Sequence, residues 1–177
     1  MCAPATAVKI AHLERSQLSG RARIAIESLL REAFPDAAGD LYDRQTPERT
    51  VLLWDADRLI GHIAAYVRPV LLGDEPITIG LIGDVAIDHG FQSRGHSKRL
   101  IREVHGFFGG ASLAFSVLFA FEPERYRSSG YRLMRNETRF LDADWSWRQF
   151  VYRGAMVAEL GNRTWPELTL DLQGEVV

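Results

Sequence analysis

Residues 85–108, VAIDHGFQSRGHSKRLIREVHGFF, decide how this chain is read. The stretch opens as an apolar strand, passes through a polar turn containing Gly90 and Gly95, and ends as a helix. Leu100, Ile101, Val104, Phe107 and Phe108 share one face of that helix, and Gly109-Gly110 stops it. A helix that starts at a glycine-containing turn leaves its first N–H groups unpaired, and its dipole makes that end partly positive. Such an end suits a phosphate or pyrophosphate. The run Gln92-Ser93-Arg94-Gly95-His96-Ser97 carries a glycine where the backbone would approach an anion, and Arg94 and Lys98 add positive charge. Taken alone, the run suits a plain connecting loop with solvated charges better than an anion site. Neither a GxGxxG fingerprint nor a Walker P-loop is present, so the usual nucleotide readings fail.

Upstream, Ala7 to His12 suits a short first strand, and Ser19 is placed to cap a helix whose apolar face is Ile26, Leu29, Leu30, Ala33 and Phe34. Pro35 ends that helix. The acidic, turn-rich segment DAAGDLYDRQTPE has room for a short second helix. Thr50 to Trp54 and Leu59 to Leu72 read as strands joined by the turn DADR, with a bulge suggested at Gly61. After the turn GDEP, Ile77 to Asp88 is mostly apolar and is expected at the centre of a sheet.

Downstream, Leu113 to Phe121 suits a buried strand. Pro123 and Gly130 bracket a short helix, and Thr138 to Leu141 and Gly154 to Leu160 are the last strand candidates. The aromatic cluster Trp145, Trp147, Phe150 and Tyr152 is expected to cover the core or an oligomer contact rather than form an acyl-chain or sugar-stacking surface; a homodimer is a separate candidate assembly. No repeat, low-complexity tract or linker interrupts residues 1–177, so the expectation is one α/β (α+β) domain with a mixed central sheet flanked by helices.

The totals narrow the function classes. The 177 residues are 46% hydrophobic and 25% charged with a net charge of −2, which does not mark a general nucleic-acid binder. A lone cysteine, Cys2, cannot form an internal disulfide and fits a reducing compartment. MCAPATAVKI has neither a basic leader nor an apolar core region, and no apolar run approaches the ~20 residues of a membrane span. A cytoplasmic protein without membrane or nucleic-acid partners is the expectation. The five histidines show no metal-ligand spacing, so no metal is expected.

Two patterns together carry a resemblance. Q-x-x-G-x-S at Gln92–Ser97, following a strand that contains V-A-I, resembles the acyl-CoA pyrophosphate loop of the GNAT acetyltransferase superfamily, with Ser97 where Gly or Ala is usual. Tyr126 to Tyr131, YRSSGY, resembles that family's Y-x-x-x-G-F/Y pattern, in the same order and at about the same spacing. The resemblance implies a GNAT fold and acetyl-CoA, or another acyl-CoA, as co-substrate. It implies that backbone groups of Val85, Ala86 and Ile87 pair with the pantetheine arm. The amides of Gln92, Ser93, Arg94, Gly95, His96 and Ser97 would cradle the pyrophosphate. Tyr126 would be the general acid for the departing thiolate, and a phenol of pKa near ~10 is protonated at neutral pH.

An acyl-accepting amine must lose a proton, so a carboxylate is expected nearby. Asp84, just before Val85, can orient the amine or take its proton through water; a strand-edge or structural role suits it equally. Asp36, Asp40 and Asp43 lie where this superfamily lines its acceptor cleft and together would attract a cationic amine; each taken singly better suits a solvated acidic loop. The tail NRTWPELTLDLQGEVV resembles the ends of two branches, the aminoglycoside 2′-N-acetyltransferases and the rhizobial nodulation acyltransferases. It carries Trp165-Pro166 and also Asp171 with Gly174-Glu175-Val176-Val177. The sequence closes on Val177 rather than an aromatic residue, and the acidic residue before V-A-I stands one place later than in the aminoglycoside branch. An amino sugar or aminoglycoside-like polycation is the acceptor common to both branches, with Asp36, Asp40, Asp171, Glu175 and Val177 as its expected contacts. Acetylation of a peptide or protein amine, and a catalytically inactive CoA-binding or protein-interaction module, are the alternatives left open.

Overall fold

A computed structural model describes residues 7–36, 41–42 and 45–177. Their contacts divide into two compact units, Met1–Ala65 with Asp84–Glu103, and Tyr66–Gly83 with Val104–Val177. Strands β3 (Arg58–Leu72) and β4 (Glu75–Ile87) and helix α2 (His96–Gly110) each run from one unit into the other.

The first unit begins with β1 (Lys9–Glu14) and α1 (Gly20–Ala33). The Ser19 hydroxyl accepts from the Ala22 N–H at 3.4 Å, the cap expected of it. Ile26 and Leu29 bury one stripe of α1 against Leu52, Leu59 and Ala86. Full burial of such side chains contributes roughly 1.5–3 kcal/mol each. Strand β2 (Arg49–Asp55) pairs antiparallel with β1 on one side and β3 on the other. The β2–β3 register slips between Leu53 and Trp54, whose partners are Gly61 and Leu59, so a bulge falls beside Gly61 as its position suggested. Between Asp36 and Glu48 the described residues form turns at Leu41 and Tyr42; residues 37–40 and 43–44, where a short helix was expected, lie outside the described residues.

The second unit holds β5 (Phe115–Phe119), the one-turn α3 (Glu124–Arg127), β6 (Arg132–Leu133), β7 (Glu137–Leu141), β8 (Trp147–Val151), β9 (Ala155–Glu159) and β10 (Leu170–Glu175). With its portions of β3 and β4 the strand order is β6-β9-β5-β4-β3-β10-β7-β8. β4 and β5 run parallel, as do β7 and β10, while β5–β9 and β3–β10 are antiparallel, so the sheet is mixed. β4 lies between β3 and β5, the central place its apolar run predicts. β5 is shorter than the apolar run around it, because the chain leaves the sheet at Ala120 and Phe121 is fully exposed.

The aromatic segment departs from its expectation in part. It contains β8 at the end of the strand order, with Trp147 and Phe150 about half exposed. Trp147 lies under the Arg139 guanidinium at 3.9 Å, and Phe150 packs edge-on to Phe140. Trp165 is buried instead: it meets Phe115 edge-on, and its indole N–H donates to Asn136 Oδ1 at 2.8 Å.

Candidate functional site

In the first unit β4 delivers Asp84, Val85, Ala86 and Ile87 in succession, and the loop to α2 follows at once. Rungs to β5 run from Gly80↔Ser116 to Ile82↔Leu118, and Val85 to Ile87 lie beyond the last of them. The loop is anchored at its base by Asp88. That buried carboxylate accepts from Arg58 Nε at 3.0 Å and Nη2 at 2.5 Å, and its other oxygen accepts from the Gly90 N–H at 2.9 Å. Phe91 packs near both Arg94 and Arg58, whose guanidinium carbons stand 5.1 and 5.7 Å from its ring centre.

Ser93 and Gly95 both adopt positive φ, 60° and 77°. Gly95 accepts the first backbone bond of α2, from the Arg99 N–H at 3.0 Å. A Cβ at Gly95 would meet nothing within 4 Å, so space remains beside the helix start. The amides after Gly95 have no residue four places earlier within the helix to bond, which makes this end a place for a polyanion. The histidine at the helix start is less easily protonated than usual: burial and the charges of Arg99 and Arg94 all lower the His96 pKa.

Asp84 is the unusual residue of β4. Its φ is +52°, left-handed backbone inside an extended strand, and its half-buried carboxyl has a pKa raised by burial. Its carbonyl oxygen lies 2.7 Å from His62 Nδ1, and His62 Nε2 lies 2.5 Å from the Tyr42 hydroxyl, which stands 3.4 Å from Thr50 Oγ1. Tyr42 and His62 also stack, ring centres 6.1 Å apart. Burial pushes the His62 pKa down to about 4 and raises that of Tyr42, so at neutral pH both are uncharged. Sequence reasoning passed over Tyr42 and His62. The available signal was a single histidine inside the apolar run LIGHIAAY. Asp36 is exposed in the turn after α1, and Asp40 and Asp43 lie outside the described residues.

In the second unit Tyr126 sits on α3, and Gly130 at φ 90° turns the chain to bring Tyr131 back beneath it. The two rings meet edge to face, centres 6.3 Å apart. Burial raises the Tyr126 pKa, Arg125 opposes that, and Glu122 adds to it. Tyr131 is fully buried, its hydroxyl 2.6 Å from Ser116 Oγ and 2.9 Å from His105 Nε2. The arrangement holds a phenol that stays protonated and can donate.

The tail residues also belong to this unit. Asp171 is bound by Arg139, Nη1 to Oδ2 at 2.6 Å, and accepts from the Gln173 N–H at 2.9 Å. The Glu175 carbonyl accepts from Arg68 Nη1. Val177 lies against Gly83: a Cβ there would stand 3.0 Å from the Val177 carbonyl carbon, so a side chain would need Val177 to give by a few tenths of an ångström. Among the described residues no group of three or more His, Cys, Asp or Glu is gathered to hold a metal ion, and no described helix is long and apolar enough to cross a membrane.

Comparison with known proteins places this arrangement. The chain superposes on a GNAT family acetyltransferase from Brucella melitensis in complex with acetyl-CoA, with a TM-score of 0.63 and 18% identity over 93% of this chain and 95% of that one. An aminoglycoside acetyltransferase from an uncultured soil metagenomic sample, in complex with sisomicin, gives a TM-score of 0.54 and 20% identity over 69% and 86% of the two chains. Eis1 from Mycobacterium abscessus gives 0.61 and 15% identity over 75% of this chain, which spans only 33% of that longer protein. The sequence profile of the acetyltransferase (GNAT) domain matches residues 10–134, which include β4, the Gln92–Ser97 loop, α2 and Tyr126. The chain belongs to the GNAT acetyltransferase family, enzymes that use acetyl-CoA.

Proposed function

We propose that this protein transfers the acetyl group of acetyl-CoA to a primary amine on an amino sugar or aminoglycoside-like polycation. The backbone of Val85, Ala86 and Ile87 binds the pantetheine arm, and the amides of Gln92 to Ser97 bind the pyrophosphate. Asp84 takes a proton from the ammonium, directly or through water. The freed nitrogen attacks the thioester carbonyl, the C–N bond forms, the C–S bond breaks, and Tyr126 protonates the departing thiolate; the nitrogen's second proton and the one held by Asp84 pass to solvent. Tyr126 regains its proton from solvent. The observation that carries the acid role is the half-buried phenol of Tyr126, set edge-on against Tyr131 by the turn at Gly130; a phenol of ordinary pKa near ~10 is protonated at neutral pH and can donate.

The acceptor assignment is supported by the exposed Asp36, by the Asp40 and Asp43 carboxylates in the same acidic segment, and by the soil neighbour's complex with sisomicin. Glu175 and Val177 contribute from the tail; the Asp171 charge is already offset by Arg139. The test is acetyl transfer from acetyl-CoA to a panel of amino sugars, aminoglycosides, polyamines and basic peptides, followed by thiol release and product mass. Multiply charged amino sugars should be preferred, and added salt should raise their KM, since the screening length is only ~8–10 Å near physiological ionic strength. A neutral or acidic acceptor that outperforms every cationic one, without salt dependence, overturns the acceptor assignment. Failure to acetylate any amine overturns the reaction.

A further inference from the structure

We propose that His62 is a positioning residue for this reaction: by donating its Nδ1–H to the Asp84 carbonyl, it fixes the left-handed backbone that sets where the Asp84 carboxyl stands. The inference rests on the reading of Asp84 as the group that takes the amine's proton.

A left-handed L-residue within a strand persists only where its surroundings over-determine it, and such strain gathers at functional positions. Asp84, at φ +52°, lies between extended residues of β4. Its carbonyl is held at 2.7 Å by a ring that has no solvent exposure. The direction of each hydrogen bond follows from chemistry. A carbonyl only accepts, so His62 Nδ1 must carry the hydrogen. The neutral ring then has a lone pair on Nε2, and the Tyr42 hydroxyl donates to it at 2.5 Å. Tyr42 thereby holds one tautomer, with the stack of the two rings and Thr50 beside its hydroxyl fixing the tyrosine in turn. β2, β3, β4 and the turn at Tyr42 each supply one member, and all four belong to the first unit. A histidine that merely filled the core would not need its proton on the nitrogen facing the one strained residue of β4.

Three substitutions separate the two roles. The amide nitrogen of His62→Asn falls near the place of Nδ1, that of His62→Gln near Nε2, and His62→Phe has no donor at either. Positioning predicts that His62→Asn retains most of kcat. His62→Gln and His62→Phe should lose ~10²-fold, the scale on which ångström misplacement acts, with KM for acetyl-CoA unchanged. Equal kcat for His62→Asn and His62→Gln overturns the inference even if His62→Phe does not fold. A folded His62→Phe with wild-type kcat overturns it too. Asp84→Asn is assayed in parallel, since it keeps a residue tolerant of this backbone and removes only the base. If Asp84→Asn turns over normally, the proton-acceptor reading of Asp84 falls and the inference with it. If Asp84→Asn is slow and the His62 variants are not, only the inference falls.

Discussion

Burial raises the pKa of both Tyr126 and Asp84, with complementary consequences. A phenol that holds its proton remains available as a donor, and a carboxylate of raised pKa is a stronger base than one in water. Tyr126→Phe keeps the ring and its edge-to-face contact with Tyr131 but removes the donor. It should lower kcat by ~10²–10⁴-fold in single-turnover measurements while leaving acetyl-CoA affinity as it was. An unchanged rate with chemistry limiting would remove Tyr126 from the mechanism. The motif residue Tyr126 was legible in the sequence because tyrosine, glycine and aromatic ring fall within six consecutive residues. Tyr42, His62 and Asp84 were not legible together, because the fold joins them from three separate places in the chain. Such a group can be found only through space.

At the scale of elements, β4, the Gln92–Ser97 loop and α2 read correctly because each is local: an apolar run, a polar turn, then a helical stripe. Strand β10 was missed for the opposite reason. Its sequence LDLQGE has an acid at both ends of its polar stretch and a glycine inside, poor strand formers on their own. It becomes a strand because β3 and β7 offer unpaired backbone on either side. The same cross-strand placement sets Arg139 on Asp171, a pairing that sequence spacing could not reveal. Two glycine substitutions test these elements separately. Gly95→Glu puts a negative side chain on left-handed backbone at the start of α2, and calorimetry should show acetyl-CoA binding weakened at least ~10-fold. Gly83→Ala crowds Val177, which must shift by a few tenths of an ångström, and should raise KM for the cationic acceptor with little change in acetyl-CoA affinity. Equal acceptor KM would place the tail outside the acceptor site.

For the molecule as a whole, one buried and one half-buried histidine tie stability to pH. His62 and His105 have pKa values lowered from 6.5 to about 4, burial being the cause in each. Between those values the unfolded chain binds protons that the folded chain refuses, so stability is full above about pH 6.5 and declines toward pH 4. His62 alone accounts for on the order of 3 kcal/mol across that window, and the less enclosed His105 for less. Asp84 acts with the opposite sign, since its raised pKa makes the folded state the better proton binder. Urea titrations at several pH values should show the decline, and His105→Gln should flatten it; parallel curves for wild type and variant would remove His105 from the effect. The placement of β10 has a further consequence, for synthesis. β10 is the last strand to be made, so in a chain cut short before it the slot between β3 and β7 stands open. Two unpaired strand edges facing each other invite pairing with other nascent chains until β10 arrives. A released chain truncated before Leu170 should therefore aggregate or bind chaperones, where one that includes Glu175 folds.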